Sequence, residues 1–382
     1  MKAWKALSMA AALTSAGLIS ATWAQIPSNY TVVATGLNAP RGLTFGADGS
    51  LYVAEGGTGG TNQTSPAQCQ QVPSPVGPYF GGTTGDIKKI DPKGNVSVVA
   101  SGFPSAQASV GDLSSVADVK FLNGQLYALI AGGGCSHGNP TSPNGIAKVN
   151  TADGSWSIIA DLSAYAMTHP GQYDNALDFE PDGVWFNMIP VEGRLITIEP
   201  NRGIVVSVGP NGMARELIDI SASQGHIVPT SLAARDGDLY VGNLLYFPIL
   251  PNWSRILRVS KDGSIEDNQI PGMQPPNPYY VSDSKAGLTT VTAVNFGPDG
   301  LLYALELADV PQSPPGYPAP GFGKVVRLQR SGEWQDVITE LNVPTGMSWG
   351  PDGRLYISDF GAVPAPTIGV GRIISFDVAF GY

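Results

Sequence analysis

The chain contains the stretch Asp48-Gly49-Ser50-Leu51-Tyr52, in which a tight polar turn leads directly into an apolar strand. The pattern returns five more times, at Asn123-Gly124-Gln125-Leu126-Tyr127, Asp182-Gly183-Val184-Trp185, Asp236-Gly237-Asp238-Leu239-Tyr240, Asp299-Gly300-Leu301-Leu302-Tyr303 and Asp352-Gly353-Arg354-Leu355-Tyr356. The turn glycines of successive copies lie between 53 and 75 residues apart. Repeats of this length that contain strands are typical of repeat folds such as propellers.

Each copy of the turn lies inside a longer unit that contains four strands. One strand precedes the turn, the Leu-Tyr strand follows it, and a third and a fourth strand follow in most units. Asp-Gly and Asn-Gly favour tight hairpins because these residues tolerate positive φ angles. The predicted first strands occupy residues 40–45, 116–121, 174–179, 229–234, 291–296 and 344–349.

The last unit predicts that the repeat closes into a ring. It stops after its third strand, residues 373–377, and the missing fourth strand is present at the other end of the chain, as residues 30–34. Pairing of these two segments would remove the open sheet edges. We therefore predict an all-β, six-bladed β-propeller with four-stranded blades, closed by the N-terminal strand and forming one domain over residues 25–382. A β-helix is the alternative, although its repeats are much shorter.

Alignment of the first strands shows one aromatic column and one column of small residues. The aromatic column contains Phe45, Phe121, Phe179, Ala234, Phe296 and Trp349. Because side chains alternate along a strand, we expect this column to pack between neighbouring blades. Asp118 interrupts the small column, where it could be a channel ligand, pair with Lys120 or cap a loop.

Residues 1–24 have the features of a secretory signal peptide. Lys2 and Lys5 precede an apolar stretch over residues 7–20, and Thr22-Trp23-Ala24 places small residues at the cleavage site. A membrane anchor is the alternative, but this apolar stretch is shorter than the about 20 residues that a span needs. We therefore expect a secreted or periplasmic protein without a membrane span.

Composition narrows the class of partner. The 382 residues include 48 Gly and 32 Pro, and only 14% are charged, which is typical of many short strands joined by turns. The net charge is −10 and no cluster of Lys and Arg is present, so nucleic acid is not an expected partner. We expect a monomer.

The long loops are predicted to lie on one face of the propeller. Loops after second and fourth strands emerge together, and the long ones occupy residues 56–84, 131–144, 168–173, 270–288 and 309–322. Long loops on a rigid scaffold commonly carry binding sites. Cys69 and Cys135 lie in equivalent loops of neighbouring blades, and in an exported protein we expect a disulfide between them, with two free thiols as the alternative.

Polar residues are concentrated where the second strands should reach this face. The column contains Glu55, Ile130, Met188, Asn243, Glu306 and Asp359. Carboxylate and amide oxygens suit a hard cation, so Glu55, Asn243, Glu306 and Asp359 form a candidate Ca²⁺ site. The alternative is that Glu55 pairs with Arg41 and that the other side chains meet water.

The channel mouth supplies the other candidate residues. Arg41, Asn175, Thr230 and Thr345 lie at corresponding ends of first strands and are candidate ligand-binding residues. His226 precedes one of these strands and is a candidate catalytic base, with an ordinary surface histidine as the alternative. No two histidines have the spacing of metal ligands, so zinc is not expected.

Several of these motifs resemble a known family of propellers. The stretches Ala39-Pro40-Arg41-Gly42-Leu43, Val53-Ala54-Glu55, Ala131-Gly132-Gly133-Gly134-Cys135 and Tyr356-Ile357-Ser358-Asp359-Phe360-Gly361 resemble NHL-repeat and SMP-30-like propellers and, more narrowly, the exported ScyD/ScyE family. The ScyD/ScyE resemblance covers nearly the whole mature chain, implies export, and carries no agreed activity. The SMP-30-like resemblance implies an axial divalent metal, with Glu55 as an acidic ligand and Asn175 or Asn243 as an amide ligand.

Two hypotheses of function follow. The first is an exported propeller that binds a small molecule, a glycan or a protein through its long-loop face, as an accessory to secondary-metabolite or envelope chemistry. The second is a Ca²⁺-dependent hydrolase or lactonase of the SMP-30-like type at the mouth of the central channel.

Overall fold

The strands of the chain form six antiparallel sheets arranged as a six-bladed β-propeller. The computed structural model describes residues 30–173, 179–245, 249–260, 265–266, 287–309, 318–362 and 367–380. Each sheet has four strands, except that the first blade adds a short fifth strand. The predicted fold class is therefore confirmed, while the proposed signal peptide, residues 1–24, lies outside the described residues.

The first two blades follow the N-terminal strand, which is β1 (Tyr30–Leu37). The strands of blade 1 are β2 (Pro40–Phe45), β3 (Leu51–Glu55), β4 (Tyr79–Ile90), β5 (Val96–Ala108) and β6 (Leu113–Ser114). Those of blade 2 are β7 (Val116–Leu122), β8 (Gln125–Ile130), β9 (Gly145–Val149) and β10 (Trp156–Asp161). Blade 2 also carries a 3₁₀ turn at Cys135–His137 and is followed by helix α1 (Leu162–Thr168).

The remaining blades complete the ring. Blade 3 contains β11 (Asn187–Val191), β12 (Arg194–Glu199), β13 (Ile204–Val208) and β14 (Ala214–Asp219), followed by α2 (Ser221–Gln224). Blade 4 contains β15 (Pro229–Arg235), β16 (Asp238–Asn243), β17 (Ile256–Val259) and β18 (Ile265–Glu266). Blade 5 contains β19 (Val291–Phe296), β20 (Leu302–Glu306), β21 (Pro320–Leu328) and β22 (Trp334–Asn342). Blade 6 contributes β23 (Gly346–Trp349), β24 (Leu355–Asp359) and β25 (Gly371–Phe376). Within the described ranges, no helix is long and apolar enough to cross a membrane.

The two ends of the chain close the ring in one sheet. Strand β1 pairs antiparallel with β25, so that Tyr30 lies opposite Phe376 and Leu37 lies opposite Gly371. The strand order of this sheet is β1-β25-β24-β23. The N-terminal strand is therefore the outermost strand of blade 6, as predicted.

Aromatic pairs join the blades near the short-turn face. In four places the tyrosine of a second strand meets the aromatic column of the next first strand edge-on, with ring centroids 4.9 to 5.2 Å apart. The pairs are Tyr52–Phe121, Tyr240–Phe296, Tyr303–Trp349 and Tyr356–Phe45. The last pair crosses the closure from blade 6 to blade 1. Edge-to-face packing suits the ring quadrupoles, which explains why the repeat retains Tyr after Leu.

The structure corrects the prediction for blade 3. Its innermost strand is β11, and its hairpin turn is Glu192-Gly193, with φ angles of 48° and 75°, rather than Asp182-Gly183. Phe179 lies in no strand, and the rest of the predicted strand, residues 174–178, lies outside the described residues. The Asp182 carboxylate instead accepts hydrogen bonds from the Ser136 backbone N–H (2.8 Å) and hydroxyl (2.6 Å), which attaches this segment to blade 2.

Candidate functional site

The long loops of blades 1 and 2 form one connected surface, here called the blade 1–2 platform (residues 56–84, 103–114 and 131–144). The predicted disulfide joins Cys69 to Cys135 with an S–S distance of 2.07 Å. The Thr64 hydroxyl donates to the Cys135 carbonyl at 2.6 Å, beside the same bridge. Strands β4 and β5 extend into the platform as a paired ribbon, in which Tyr79 lies opposite Ala108. The platform is therefore held by covalent, side-chain and backbone contacts at once.

A buried polar network fastens the platform to blade 3. The Tyr79 hydroxyl donates to Glu180 Oε1 at 2.9 Å, and His137 Nε2 lies 2.6 Å from Glu180 Oε2. His137 Nδ1 lies 2.6 Å from the Gly133 carbonyl oxygen, which can only accept, so Nδ1 carries a hydrogen. The Nε2–Oε2 contact therefore needs a second proton. Sequence reasoning missed this network because its members lie 43 and 101 residues apart.

The electrostatics of this network favour the protonated pair. His137 is fully buried, and Glu180 is 4% exposed. Burial opposes the charged imidazolium, but the facing Glu180 carboxylate outweighs burial, and the pKa of His137 is raised from its ordinary value. The buried His137–Glu180 pair is accordingly a contact between two blades in which the imidazole retains its second proton. We call it the proton-holding pair.

The four residues predicted to bind calcium occupy repeated structural positions. Glu55, Asn243, Glu306 and Asp359 each end the second strand of a blade, and all four are buried. Each bonds to the segment that enters the first strand of its own blade. The contacts are Glu55 to the Asn38 N–H (2.7 Å), Asn243 Nδ2 to the Ile227 carbonyl (3.0 Å), Glu306 to the Thr289 N–H (3.0 Å) and Asp359 to the Asn342 N–H (2.7 Å).

These contacts anchor a strained turn. The next residue in each blade has a positive φ between 39° and 53°, and these residues are Ala39, Val228, Thr290 and Val343. Valine and threonine rarely adopt such angles, because the branched side chain crowds the backbone. The polar side chain at the end of each second strand therefore holds a left-handed residue at the entrance to the blade.

The carboxylates also have separate cationic partners. Glu55 lies 3.2 Å from Lys88, Glu306 lies 3.6 Å from Lys324, and Asp359 lies 2.8 Å from Arg372. Each cation comes from the third strand of the same blade. Burial raises the pKa of all three acids, that of Glu306 to about 7. In the part of the chain that the structure describes, no three His, Cys, Asp or Glu side chains form a group that could hold a metal ion.

Among the described residues, the three acids thus have separate cationic partners and form no shared site for the divalent ion that the SMP-30-like resemblance implies, and calcium binding stays a prediction. The alternative partner predicted for Glu55 is wrong, because Arg41 instead contacts Asp112 at 3.3 Å and the Leu113 carbonyl. Glu199, which sequence alignment missed, takes the equivalent position in blade 3 in place of Met188. The Glu199 carboxylate accepts the Val184 N–H at 2.8 Å, so it also bonds to the segment that leads into the first strand of its blade, although the residue after Val184 does not have a positive φ.

The threonines predicted at the channel mouth connect neighbouring blades. Thr230 donates to the Val291 carbonyl at 2.6 Å, and Thr345 donates to the Pro40 carbonyl at 2.6 Å. Thr292, at the same position in blade 5, donates to the Pro344 carbonyl at 3.2 Å. The hydroxyls of Thr230 and Thr345 are thus engaged between blades, and their role in ligand binding stays a prediction. Asn175 lies outside the described residues.

The histidines occupy different environments. His226 lies between α2 and β15 and is 8% exposed, so the alternative of a surface histidine is wrong. Its proposed role as a base stays a prediction. His169 is exposed and stacks on Tyr165 with ring centroids 3.8 Å apart.

A cavity of about 170 Å³ lies among the first strands of all six blades. Asp118 lies in its wall, with Oδ1 accepting from Lys120 Nζ (2.5 Å) and the Val119 N–H (2.8 Å). Its Oδ2 accepts from Asn187 Nδ2 (2.8 Å) and the Met188 N–H (3.0 Å). These four bonds use the acceptor capacity of the Asp118 carboxylate. The predicted pairing of Asp118 with Lys120 is confirmed.

Comparison with solved structures places the fold among the gluconolactonase- and regucalcin-like propellers. No family model and no curated protein matches the sequence. Regucalcin from Agrobacterium tumefaciens, a calcium-binding protein, is similar with 15% identity and a TM-score of 0.52 over 92% of this chain and 94% of that one. The PQQ-bound aldose sugar dehydrogenase of Streptomyces coelicolor shares 13% identity, with a TM-score of 0.53 over 93% of this chain and 100% of that one.

A third neighbour is a protein provisionally named a gluconolactonase. It shares 12% identity, with a TM-score of 0.50 over 92% of each chain. Identities this low show the architecture alone, because one fold hosts many unrelated activities. The chain is thus a six-bladed propeller whose structural neighbours are SMP-30-like, and the closer resemblance to ScyD/ScyE proteins stays a prediction.

Proposed function

We propose that this protein is an exported, non-catalytic propeller that binds a small molecule, a glycan or a protein through its long-loop face. It would serve as an accessory to secondary-metabolite or envelope chemistry. The observation that carries the proposal is the fixed state of the blade 1–2 platform, which the Cys69–Cys135 bridge and the Tyr79–Glu180–His137 contacts hold in place. A surface ordered before binding loses little conformational entropy when a ligand arrives.

A Ca²⁺-dependent hydrolase is the second candidate, with its site at the channel mouth. It is favoured by Glu306, whose Oε2 is buried without a hydrogen bond among the described residues and whose pKa burial raises to about 7. Such a carboxyl could act as a ligand or a base near neutral pH. The Lys324 ammonium 3.6 Å away and the separate partners of Glu55 and Asp359 weigh against it.

One experiment separates these candidates. The mature protein is dialysed against a chelator, its melting temperature is recorded with and without Ca²⁺, and it is assayed on a panel of lactones and esters. We expect calcium-independent melting, no turnover, and a rise in melting temperature with at least one compound of a ligand panel. Calcium-dependent stabilisation together with lactone hydrolysis would establish the hydrolase instead.

Export has its own test. N-terminal sequencing of protein recovered from the periplasm or the medium should begin at Gln25, after removal of residues 1–24. Recovery of an uncleaved chain in the membrane fraction would favour the alternative of an anchor.

A further inference from the structure

The blade 1–2 platform is almost free of charge. Residues 56–84 contain no Asp, Glu, Lys, Arg or His, although charged residues make up 14% of the chain. Residues 103–114 contain only Asp112, which pairs with Arg41, and residues 131–144 contain only His137, which is buried. The only charged group of the platform that reaches solvent is therefore Asp112, whose charge Arg41 balances, on a protein whose net charge is −10.

The same surface offers no large apolar anchor. Among the described residues, the exposed large hydrophobic side chains are Val32, Val96, Val98, Met167, Met213, Leu217, Phe322 and Ile368. None of them lies in residues 56–84, 103–114 or 131–144. Protein interfaces usually concentrate their affinity in large apolar, aromatic or arginine side chains, and apolar ligands need an apolar contact. The exposed side chains of the platform therefore offer no such contact to a protein partner or to an apolar ligand.

Side-chain amides and hydroxyls are the main polar groups that the platform presents, beside the exposed Pro66, Ala67 and Pro75. Asn62, Gln63 and Gln70 are exposed, and their side chains make no hydrogen bond to any part of the protein that the structure describes. Each amide group can donate and accept at once. Gln71 Nε2 donates to the Thr64 hydroxyl at 3.2 Å, which joins the two chain segments that carry Gln63 and Gln70.

We propose that the blade 1–2 platform binds a neutral polysaccharide. The inference rests on the proposed binding function and names its ligand class and its site. Sugar hydroxyls also donate and accept, so they complement amide and hydroxyl side chains without any need for charge. The disulfide and the paired β4–β5 ribbon hold the backbone of this surface, so little loop entropy is lost when the ligand binds.

The chemistry predicts a specific dependence on salt. A charged ligand held by ionic contacts dissociates as salt screens the attraction, whereas a neutral ligand held by amides does not. Binding should therefore be nearly constant between about 50 mM and about 500 mM NaCl.

The test uses the full mature protein on an array of neutral polysaccharides (dextran, mannan, β-glucan and chitin oligosaccharides) and acidic ones (alginate and hyaluronan). Affinity for the best neutral probe is then measured for the wild type and for the double variants Gln63→Ala/Gln70→Ala and Thr151→Ala/Ser331→Ala. The control residues are exposed on turns of the opposite face. All four residues are exposed, so melting temperatures should match and confirm folding.

We expect binding to a neutral probe that Gln63→Ala/Gln70→Ala weakens by about tenfold or more, while the control pair changes affinity less than about twofold. The inference is overturned if only acidic probes bind, if no polysaccharide binds, or if the platform variant binds as well as the wild type. Binding of a small molecule or a protein with no polysaccharide bound would overturn this inference and leave the proposed function standing. Calcium-dependent lactone hydrolysis without ligand binding would overturn both.

Discussion

The Glu306 carboxylate accepts a hydrogen bond from the Thr289 N–H at 3.0 Å, immediately before Thr290, whose φ is 49°. The same relationship joins Asp359 to Asn342, before Val343 with a φ of 39°. A buried acid satisfies a backbone donor that would otherwise be costly to bury, and it holds a backbone angle that Thr and Val resist. The recurrence of acids in this column therefore reports a repeated turn, which a one-dimensional alignment cannot distinguish from a metal site.

We predict that the titration of Glu306 makes the folded protein less stable as the pH rises. Burial raises its folded pKa from 4.5 to about 7, so between these values the unfolded chain binds fewer protons and stability falls with pH. Glu306→Gln keeps the acceptor for Thr289 and removes the titration. Urea unfolding at pH 5 and pH 8 should show the variant gaining about 2 kcal/mol on the wild type over this interval. Parallel pH profiles for the two proteins would contradict the assignment.

Asp118 predicts a large loss of stability when it is truncated. Asp118→Ala leaves Lys120 and the amide of Asn187 without their shared acceptor in a buried site, at a cost of about 3–5 kcal/mol. Asp118→Asn keeps one acceptor and should cost less. Chemical denaturation of both variants measures the difference, and an Ala variant within about 0.5 kcal/mol of wild type would show that the cluster is not structural.

We predict that the folded state becomes less stable at alkaline pH, because His137 loses its second proton there. Because its folded pKa is raised, the stabilisation is complete below the unfolded value of about 6.5 and is lost as the pH rises through the folded value. Glu180→Gln removes the carboxylate that raises this pKa, so its stability should change less over the same range. NMR titration of the His137 imidazole checks the direction, and a midpoint at or below the ordinary value would rule out the proton-holding pair.

We predict that loss of the disulfide lowers the free energy of unfolding of the whole protein and loosens the blade 1–2 platform locally. Replacing Cys69 and Cys135 by Ser opens a link across 66 residues and should cost about 2–4 kcal/mol in urea unfolding. Hydrogen exchange should increase at Thr64 and in the rest of the blade 1–2 platform more than in blade 5. The control is the wild type in reductant, which should match the variant. Alkylation of two thiols in the denatured, unreduced protein would show that the bridge does not form.

Blade 3 shows how far local patterns predict this fold. Five of the six turn motifs form hairpins, because positive φ at Asn, Asp and Gly is a local preference that needs no distant partner. Asp182-Gly183 has the same local pattern, and Gly183 has a φ of 74°, yet Glu192-Gly193 makes the hairpin. Asp182 instead bonds to Ser136, 46 residues earlier. No local preference contains that information.

The sequence by itself determined the number of blades, the closure by β1 and the pairing of Cys69 with Cys135. Turn preferences and period-two burial are properties of short segments that recur in most copies of the repeat, and the last unit alone lacks a fourth strand. Only the tertiary structure decided the partners of Glu55, Glu306 and Asp359 and joined His137 to Glu180. Those outcomes depend on which buried donors and cations meet each carboxylate. These groups come together in space only when the strands of a blade pair or, for His137 and Glu180, when distant segments pack against each other.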